Sequence, residues 1–237
     1  MVSNAPTKIR VVTHPLFTTF LLRLLYTSCK ILLRFALYVQ KWPVHKDKLT
    51  PRKMLQMAAE KRILEGDRDL IKILFICHGN ICRSPISEFV LKDMVEKRGI
   101  QEQFEIASAA TSAEEIWNGR GNPIYPPAQA ELKKHNIGNT PYTNFANKRA
   151  RQVKKEDYQY YDYLLCADSA NIRNTICITG EDTENKIQLL LDYSINPKRR
   201  GQSITDPWYS NRFDETYRDV YDGCEGFLKC LEDKNMI

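Results

Sequence analysis

The sequence predicts an α/β domain: a parallel sheet with helices packed on both faces, in three layers. Two observations carry that expectation. Short apolar runs at 71–76, 104–108, 162–166 and 187–191 have the length and composition of buried strands. Segments with helical periodicity at 84–98, 126–136, 154–160, 168–177 and 213–232 alternate with them. Strands alternating with helices are the signature of crossover connections, which build parallel sheets.

Taken in chain order, residues 16–42 form the first element. They are rich in Leu and aromatic residues and interrupted by Arg23, Lys30, Arg34 and Lys41. At about 100° per residue these four cations fall within roughly 20° of one line on a helix. The remaining surface is mostly Leu, Phe, Ile, Val or Tyr, so the segment reads as an amphipathic helix with a narrow basic face. As a spanning helix it gains about 0.3–0.6 kcal/mol for each apolar side chain and loses about 2.5–3.5 for each central cation. Lying in the interface, cations toward anionic head groups, avoids that loss. A signal-anchor span, a mitochondrial presequence and a helix packed on the domain stay open as other readings. Trp42-Pro43 ends this helix. Thr50-Pro51 then resembles an N-cap followed by an N1 proline, and Gly66 a helix stop, giving a short charged spacer.

From residue 70 the character changes. Residues 1–46 carry seven basic side chains and no acidic one, so the net charge of +6 belongs to this extension. The remainder is near neutral, with 28 basic against 29 acidic residues, and a nucleic-acid footprint is not expected. The 168 residues from 70 to 237 suffice for one well-buried core. The expected organisation is thus residues 1–69, a basic extension and spacer with membrane association, and a catalytic domain over 70–237. Seven cysteines, odd in number and without Cys-x2-Cys pairs, exclude a disulfide scaffold or a zinc site.

The chemistry concentrates at 73–85, Ile-Leu-Phe-Ile-Cys-His-Gly-Asn-Ile-Cys-Arg-Ser-Pro. An apolar strand delivers Cys77 to a tight loop, and Ser84-Pro85 opens a helix with Ile86, Phe89, Val90 and Met94. Strand, loop and helix N-terminus turn backbone N–H groups toward an anion. Cys77 would lie at the bottom of that cup, and Arg83 would close it with a planar fork suited to two phosphate oxygens. A thiolate in a phosphate cradle is a nucleophile aimed at phosphorus.

This loop resembles that of the low-molecular-weight protein tyrosine phosphatases. Asp206-Pro207-Trp208-Tyr209 is similar to the family's Asp-Pro-aromatic-aromatic loop, and Ser108-Ala109-Ala110-Thr111-Ser112, Ala150-Arg151-Gln152, Asp162 to Cys166 and Asp168 match further segments. The resemblance spans roughly 70–233. It implies a four-stranded, flavodoxin-like sheet with the site at the carboxyl ends of the strands.

It also implies roles. Cys77 is the expected nucleophile, with Arg83 binding the phosphoryl group and Asp206 serving as general acid and then base. His78, Gly79, Asn80, Ile81, Cys82 and Ser84 belong to the phosphate loop. Asn80 tolerates a left-handed backbone, and the Ser84 hydroxyl can donate to the Cys77 sulfur. Ser108 is expected to support the loop. Trp208 and Tyr209 would wall a slot for an aromatic ring, and Trp117 reads either as a substrate rim or as a surface loop. Cys82 pairs reversibly with Cys77 under oxidation in related enzymes, or simply packs.

The implied activity is protein tyrosine phosphatase, with acid phosphatase activity on aryl phosphates and phosphotyrosine proteins as substrates, no cofactor and no metal. The free thiol favours a reducing, cytoplasmic compartment. Two departures stand out: the histidine that the family places before Ala-Arg-Gln is absent, with Lys148 near that place, and 124–128 reads Ile-Tyr-Pro-Pro-Ala where the family shows an Asp and an Arg. Arsenate reduction needs relay cysteines a few residues apart, whereas Cys166 and Cys177 are eleven apart. Phosphoarginine hydrolysis resembles loops with Thr where Ile81 stands. A phosphotyrosine-binding scaffold needs neither Cys77 nor Asp206.

Overall fold

The structure, a computed structural model, describes residues 70–237. The amphipathic helix expected at 16–42 and the spacer before Gly66 lie outside the described residues. Among the described residues no helix is long and apolar enough to cross a membrane.

The chain runs through strand β1 (Ile71–Cys77), helix α1 (Arg83–Lys97), strand β2 (Phe104–Ala110) and a small antiparallel pair, β3 (Ile116–Trp117) with β4 (Arg120–Gly121). Then come helix α2 (Pro126–Lys134), the short helix α3 (Asp157–Tyr160), strand β5 (Tyr163–Cys166), helix α4 (Ser169–Thr179) and strand β6 (Ile187–Leu189). A four-residue helix α5 (Pro207–Ser210) and the long α6 (Phe213–Asp233) finish it. The four long-range strands form one parallel sheet in the order β2-β1-β5-β6.

β1 lies inside the sheet because every residue of Ile73–Ile76 is buried, the run expected of a parallel strand covered on both faces. Alternate side chains serve opposite cores. Ile71, Ile73, Phe75 and Cys77 join the cluster built with α1 and α6, while Leu74 and Ile76 join Ala109, Leu164, Cys166, Tyr158 and Ile187 on the other face. Full burial of each such aliphatic or aromatic side chain contributes about 1.5–3 kcal/mol. α6 lies close over the 190–195 segment because Gly223 and Gly226 carry no Cβ. An added carbon would sit 2.7 Å from the Leu190 side chain and 1.7 Å from the Tyr193 carbonyl oxygen, respectively.

Three of the boundaries that differ from the sequence expectation do so for identifiable local reasons. The strand expected over 187–191 stops at Leu189, where the Leu189 N–H donates to the Asp192 carboxylate and the chain winds into a 3-10 turn. The helix expected over 154–160 shrinks to Asp157–Tyr160, because the Asp157 carboxylate accepts from the Lys154 amide and pairs with Arg151. α2 ends at Lys134, and Asn136 adopts a left-handed conformation (φ 61°) just beyond it.

Candidate active site

Cys77 ends β1 at the carboxyl edge of the sheet, where Cα register places it beside Ala110 of β2. The loop from Cys77 to Cys82 then enters α1 at Arg83. Its carbonyls are held outward. The amides of Thr111, Ser112, Tyr125 and Ile86 donate to the oxygens of Cys77, His78, Ile81 and Cys82 at 2.9–3.0 Å. Within the loop the Asn80 amide donates to the Cys77 sulfur at 3.3 Å, and the Ser84 hydroxyl lies 3.0 Å from that sulfur. Both contacts converge on the one sulfur at the end of β1.

Asn80 takes a left-handed backbone (φ 56°), affordable because its side chain is fully engaged. Its Nδ2 donates to the hydroxyls of Ser84 (2.9 Å) and Ser108 (2.8 Å), and its Oδ1 accepts from the Arg151 amide (3.1 Å). Ser108 in turn donates to Glu88 Oε2 at 2.6 Å. Glu88, buried on α1, is flanked by Lys148 and Lys92, both at 2.6 Å. Burial works against its charge, but Lys148 and Lys92 hold its carboxyl below the usual carboxylate range. Burial pulls the Lys148 ammonium below the ordinary lysine value, with Glu88 opposing. Lys148 also donates to the Ser108 carbonyl at 3.2 Å. A lysine therefore supplies a buried cation beneath the loop, at the place where the resemblance implies a histidine.

Arg83 is 5% exposed and held by two carboxylates. Nη1 meets Asp168 Oδ2 at 2.6 Å and Nη2 meets Asp206 Oδ2 at 2.7 Å. Burial disfavours its charge, yet Cys77, Asp206 and Asp168 together hold Arg83 above the ordinary arginine value. Asp168 does double duty: its Oδ1 caps α4 by accepting from the Asn171 amide at 2.7 Å. Asp206 caps α5 in the same manner, accepting from the Trp208 amide at 3.0 Å. The segment before it is pinned, since the Thr205 amide and hydroxyl donate to Asp219 at 2.9 and 2.8 Å and the Ile204 amide donates to the Ala167 carbonyl.

These groups surround a pocket of about 360 Å³. Cys77, His78, Gly79, Ile81, Cys82 and Arg83 form its floor and near wall, and Asp206, Trp208 and Tyr209 stand on the far side. Asn80, Ser84 and Ser108 lie behind the loop rather than in the pocket. Both aromatics are open to solvent (Trp208 57%, Tyr209 88%). His78 pairs at the mouth with Glu114 at 3.0 Å. Trp117, at the end of β3, is 72% exposed and not among the lining residues, so it lies on a surface hairpin. Burial, with Cys77 and Asp206 adding, pushes the Cys82 thiol up to about 12. The six cysteines of the described residues are free. Cys166 is fully buried in β5, and burial pushes its thiol to about 12, an unsuitable environment for a relay thiol.

Sequence reasoning assigned no role to Glu88 and no place in the site to Asp168, Glu114, Glu115 or Asn174. Glu88 carries a readable signal. It lies four residues after Ser84 on the helix and, with Leu91 and Val95, faces inward.

A cysteine loop feeding a helix, with an arginine and an aspartate across the cup, defines the protein tyrosine phosphatase class of phosphoric monoester hydrolases. Comparison with known proteins narrows that to one family. The family model for low molecular weight phosphotyrosine protein phosphatase matches residues 72–236, and the chain belongs to that family. A relative of that description from Gallus gallus is 38% identical over 161 residues, covering 66% of this chain and 93% of its own. The low molecular weight protein-tyrosine-phosphatase YfkJ of Bacillus subtilis is 30% identical over 168 residues, 71% of this chain and 100% of its own. The YfkJ crystal structure superposes with a TM-score of 0.62 over 70% of this chain and 97% of that one. The low molecular weight phosphatase of Streptococcus pyogenes does so with 0.56 at 36% identity, over 68% and 93%.

Proposed function

We propose that residues 70–237 hydrolyse phosphotyrosine and aryl phosphates through a phosphocysteine on Cys77. The observation that carries this is the Cys77 sulfur, 3.0 Å from the Ser84 hydroxyl, lying in one pocket with an arginine that holds Asp206 at 2.7 Å. An entering phosphate dianion competes with Asp206 for Arg83 Nη2, while Asp168 keeps Nη1 in place. The thiolate attacks phosphorus and forms the S–P bond. The P–O bond to the phenol breaks as Asp206, freed from Arg83 and carrying a proton taken up from solvent, delivers that proton to the leaving oxygen. Asp206, now a carboxylate, takes a proton from water that attacks the phosphocysteine, and the restored thiolate leaves with Arg83 still stabilising the phosphoryl oxygens.

The test is aryl phosphate hydrolysis with EDTA and reductant present. Cys77→Ser should abolish turnover, and Asp206→Ala should reduce it by about 10²–10⁴-fold while phosphate-ester binding persists. Unchanged turnover in Asp206→Ala would remove Asp206 from the mechanism.

Two finer readings accompany this one. Peroxide would convert Cys77 to a sulfenic acid that condenses with the Cys82 thiol and releases water, protecting the nucleophile. Reductant should then restore wild-type activity after peroxide but not that of Cys82→Ser, and equal recovery in both would leave Cys82 a packing residue. The basic amphipathic pattern of 16–42 supports attachment of a cytoplasmic enzyme to an anionic membrane surface. If a chain lacking residues 1–46 still sediments with membranes, the anchor lies elsewhere.

A further inference from the structure

Tyr125 belongs to the 124–128 segment in which the chain departs from its family, and it stands between the phosphate loop and the aspartate loop. Its amide donates to the Ile81 carbonyl at 2.9 Å, fixing it to the phosphate loop. Pro126 follows and restricts its backbone to the extended region it occupies (φ −57°, ψ 133°). Its ring meets Trp208 at 5.5 Å with a 57° tilt and Phe213 at 6.1 Å with a 34° tilt. Trp208 is the second residue of α5, and Phe213 opens α6. Trp208 is more than half exposed and sits on a four-residue helix, an element with too few internal bonds to fix its own position.

The contacts close a circuit. Ile81 O accepts from Tyr125, whose ring meets Trp208. The Trp208 amide donates to Asp206 Oδ1 at 3.0 Å, and Asp206 Oδ2 meets Arg83 at 2.7 Å, two residues after Ile81. Thr205 and Ile204 hold the chain where it enters α5, and Tyr125 meets the ring of the second residue of that helix.

We propose that Tyr125 is a positioning residue for this reaction: it props Trp208, and through it Asp206, at the height above the phosphate loop that suits a flat aryl ester. The proposal rests on the phosphatase reading above. Tyr125 is not among the residues lining the pocket, so it acts through Trp208 rather than on substrate.

A displaced general acid hurts most when the leaving group needs its proton. An unsubstituted phenol, with a pKa near 10 like tyrosine, needs it. An electron-poor nitrophenolate leaves with little help. The experiment compares kcat/KM of the full chain on phenyl phosphate and p-nitrophenyl phosphate, with inhibition by inorganic phosphate as a report on the cup. Tyr125→Ala should lose about tenfold or more on phenyl phosphate, a fraction of the roughly 10²–10⁴ a placed acid supplies. On the nitrophenyl ester the loss should stay near 2- to 3-fold, with phosphate inhibition unchanged. Tyr125→Phe should match wild type on both.

Equal losses on the two esters, altered phosphate inhibition, or a Tyr125→Phe as impaired as Tyr125→Ala would overturn the proposal. A second measurement needs no turnover. With Trp42 and Trp117 replaced by Phe, Trp208 emission should shift to the red in Tyr125→Ala and not in Tyr125→Phe, and an unshifted Tyr125→Ala would overturn the contact. Absence of hydrolysis in wild type would instead sink the phosphatase reading and leave the emission result to decide the role of Tyr125 alone.

Discussion

Replacing Glu88 by Gln keeps its shape and removes one buried charge. In the native chain that carboxylate receives Lys148 and Lys92, each at 2.6 Å, and the Ser108 hydroxyl at 2.6 Å. The Glu88 and Lys148 side chains are only 5% and 14% exposed, so neither finds water as a substitute partner. Lys92 (17% exposed) and Lys148 (14% exposed) are then both left largely covered without their counter-charge. Breaking a buried pair in this way costs about 3–5 kcal/mol. For a domain of this size each kcal/mol moves the midpoint by roughly 2–4 °C, so thermal unfolding at neutral pH should fall by about 6–20 °C. Adding Lys148→Met to Glu88→Gln should recover part of the loss, a coupling of about 1–3 kcal/mol. The pH dependence has a fixed sign. A carboxyl held below its ordinary value contributes stability above about pH 4.3, and that contribution is lost as pH falls through the folded value. The acid limb of the stability profile should therefore be shallower in Glu88→Gln than in wild type. A single-mutant loss under about 1 kcal/mol, or strict additivity in the double mutant, would refute the picture of a buried cation site under the loop.

Two further outcomes follow from local geometry. Gly226→Ala would gain about 1 kcal/mol in a solvated helix, but on α6 its Cβ would meet the Tyr193 carbonyl oxygen at 1.7 Å. It should destabilise by about 2 kcal/mol or more, read as a lower urea midpoint at unchanged slope. Asp168→Asn keeps a good helix cap for α4 but gives up the charge that holds Arg83 Nη1. Stability should change by less than about 1 kcal/mol while kcat/KM on an aryl phosphate falls about tenfold, and a loss confined to stability would make Asp168 a cap and nothing more.

The sheet was legible because parallel strands are covered on both faces, so Ile73–Ile76 and Tyr163–Cys166 read as continuous apolar runs with little ambiguity. Helix and strand ends were less so. Asp157 and Asp192 each spend a carboxylate on a backbone amide, the first delaying the start of α3 and the second ending β6 early, a choice that propensity does not record. In the site, Cys77 through Ser84 were readable because one contiguous loop carries them. Glu88 was passed over despite its spacing from Ser84, because a glutamate on a helix reads as solvent-facing until Lys148, far away in sequence, is brought beneath it.

The two departures from the family pattern turn out to share a physical logic. In the proposed reaction, attack on phosphorus would fix the positions of the sulfur, the guanidinium fork and the carboxyl closely, so Cys77, Arg83 and Asp206 would admit no chemical substitute. Their supports are constrained only in what they supply. Beneath the loop the requirement is a cation that neutralises Glu88 and leaves Ser108 free to accept from Asn80, and Lys148, 2.6 Å from the carboxylate, meets it. Beside the aspartate loop the proposed requirement is a surface at the right height, and a tyrosine restricted by the following proline would meet it through a tilted ring contact. That choice has an energetic consequence. An aromatic contact is insensitive to salt, whereas an exposed ion pair would be screened within about 8–10 Å at physiological ionic strength. The placement of Trp208 in this chain should accordingly depend little on ionic strength, and any salt dependence of turnover should arise from substrate approach and from the partly exposed Asp206–Arg83 pair.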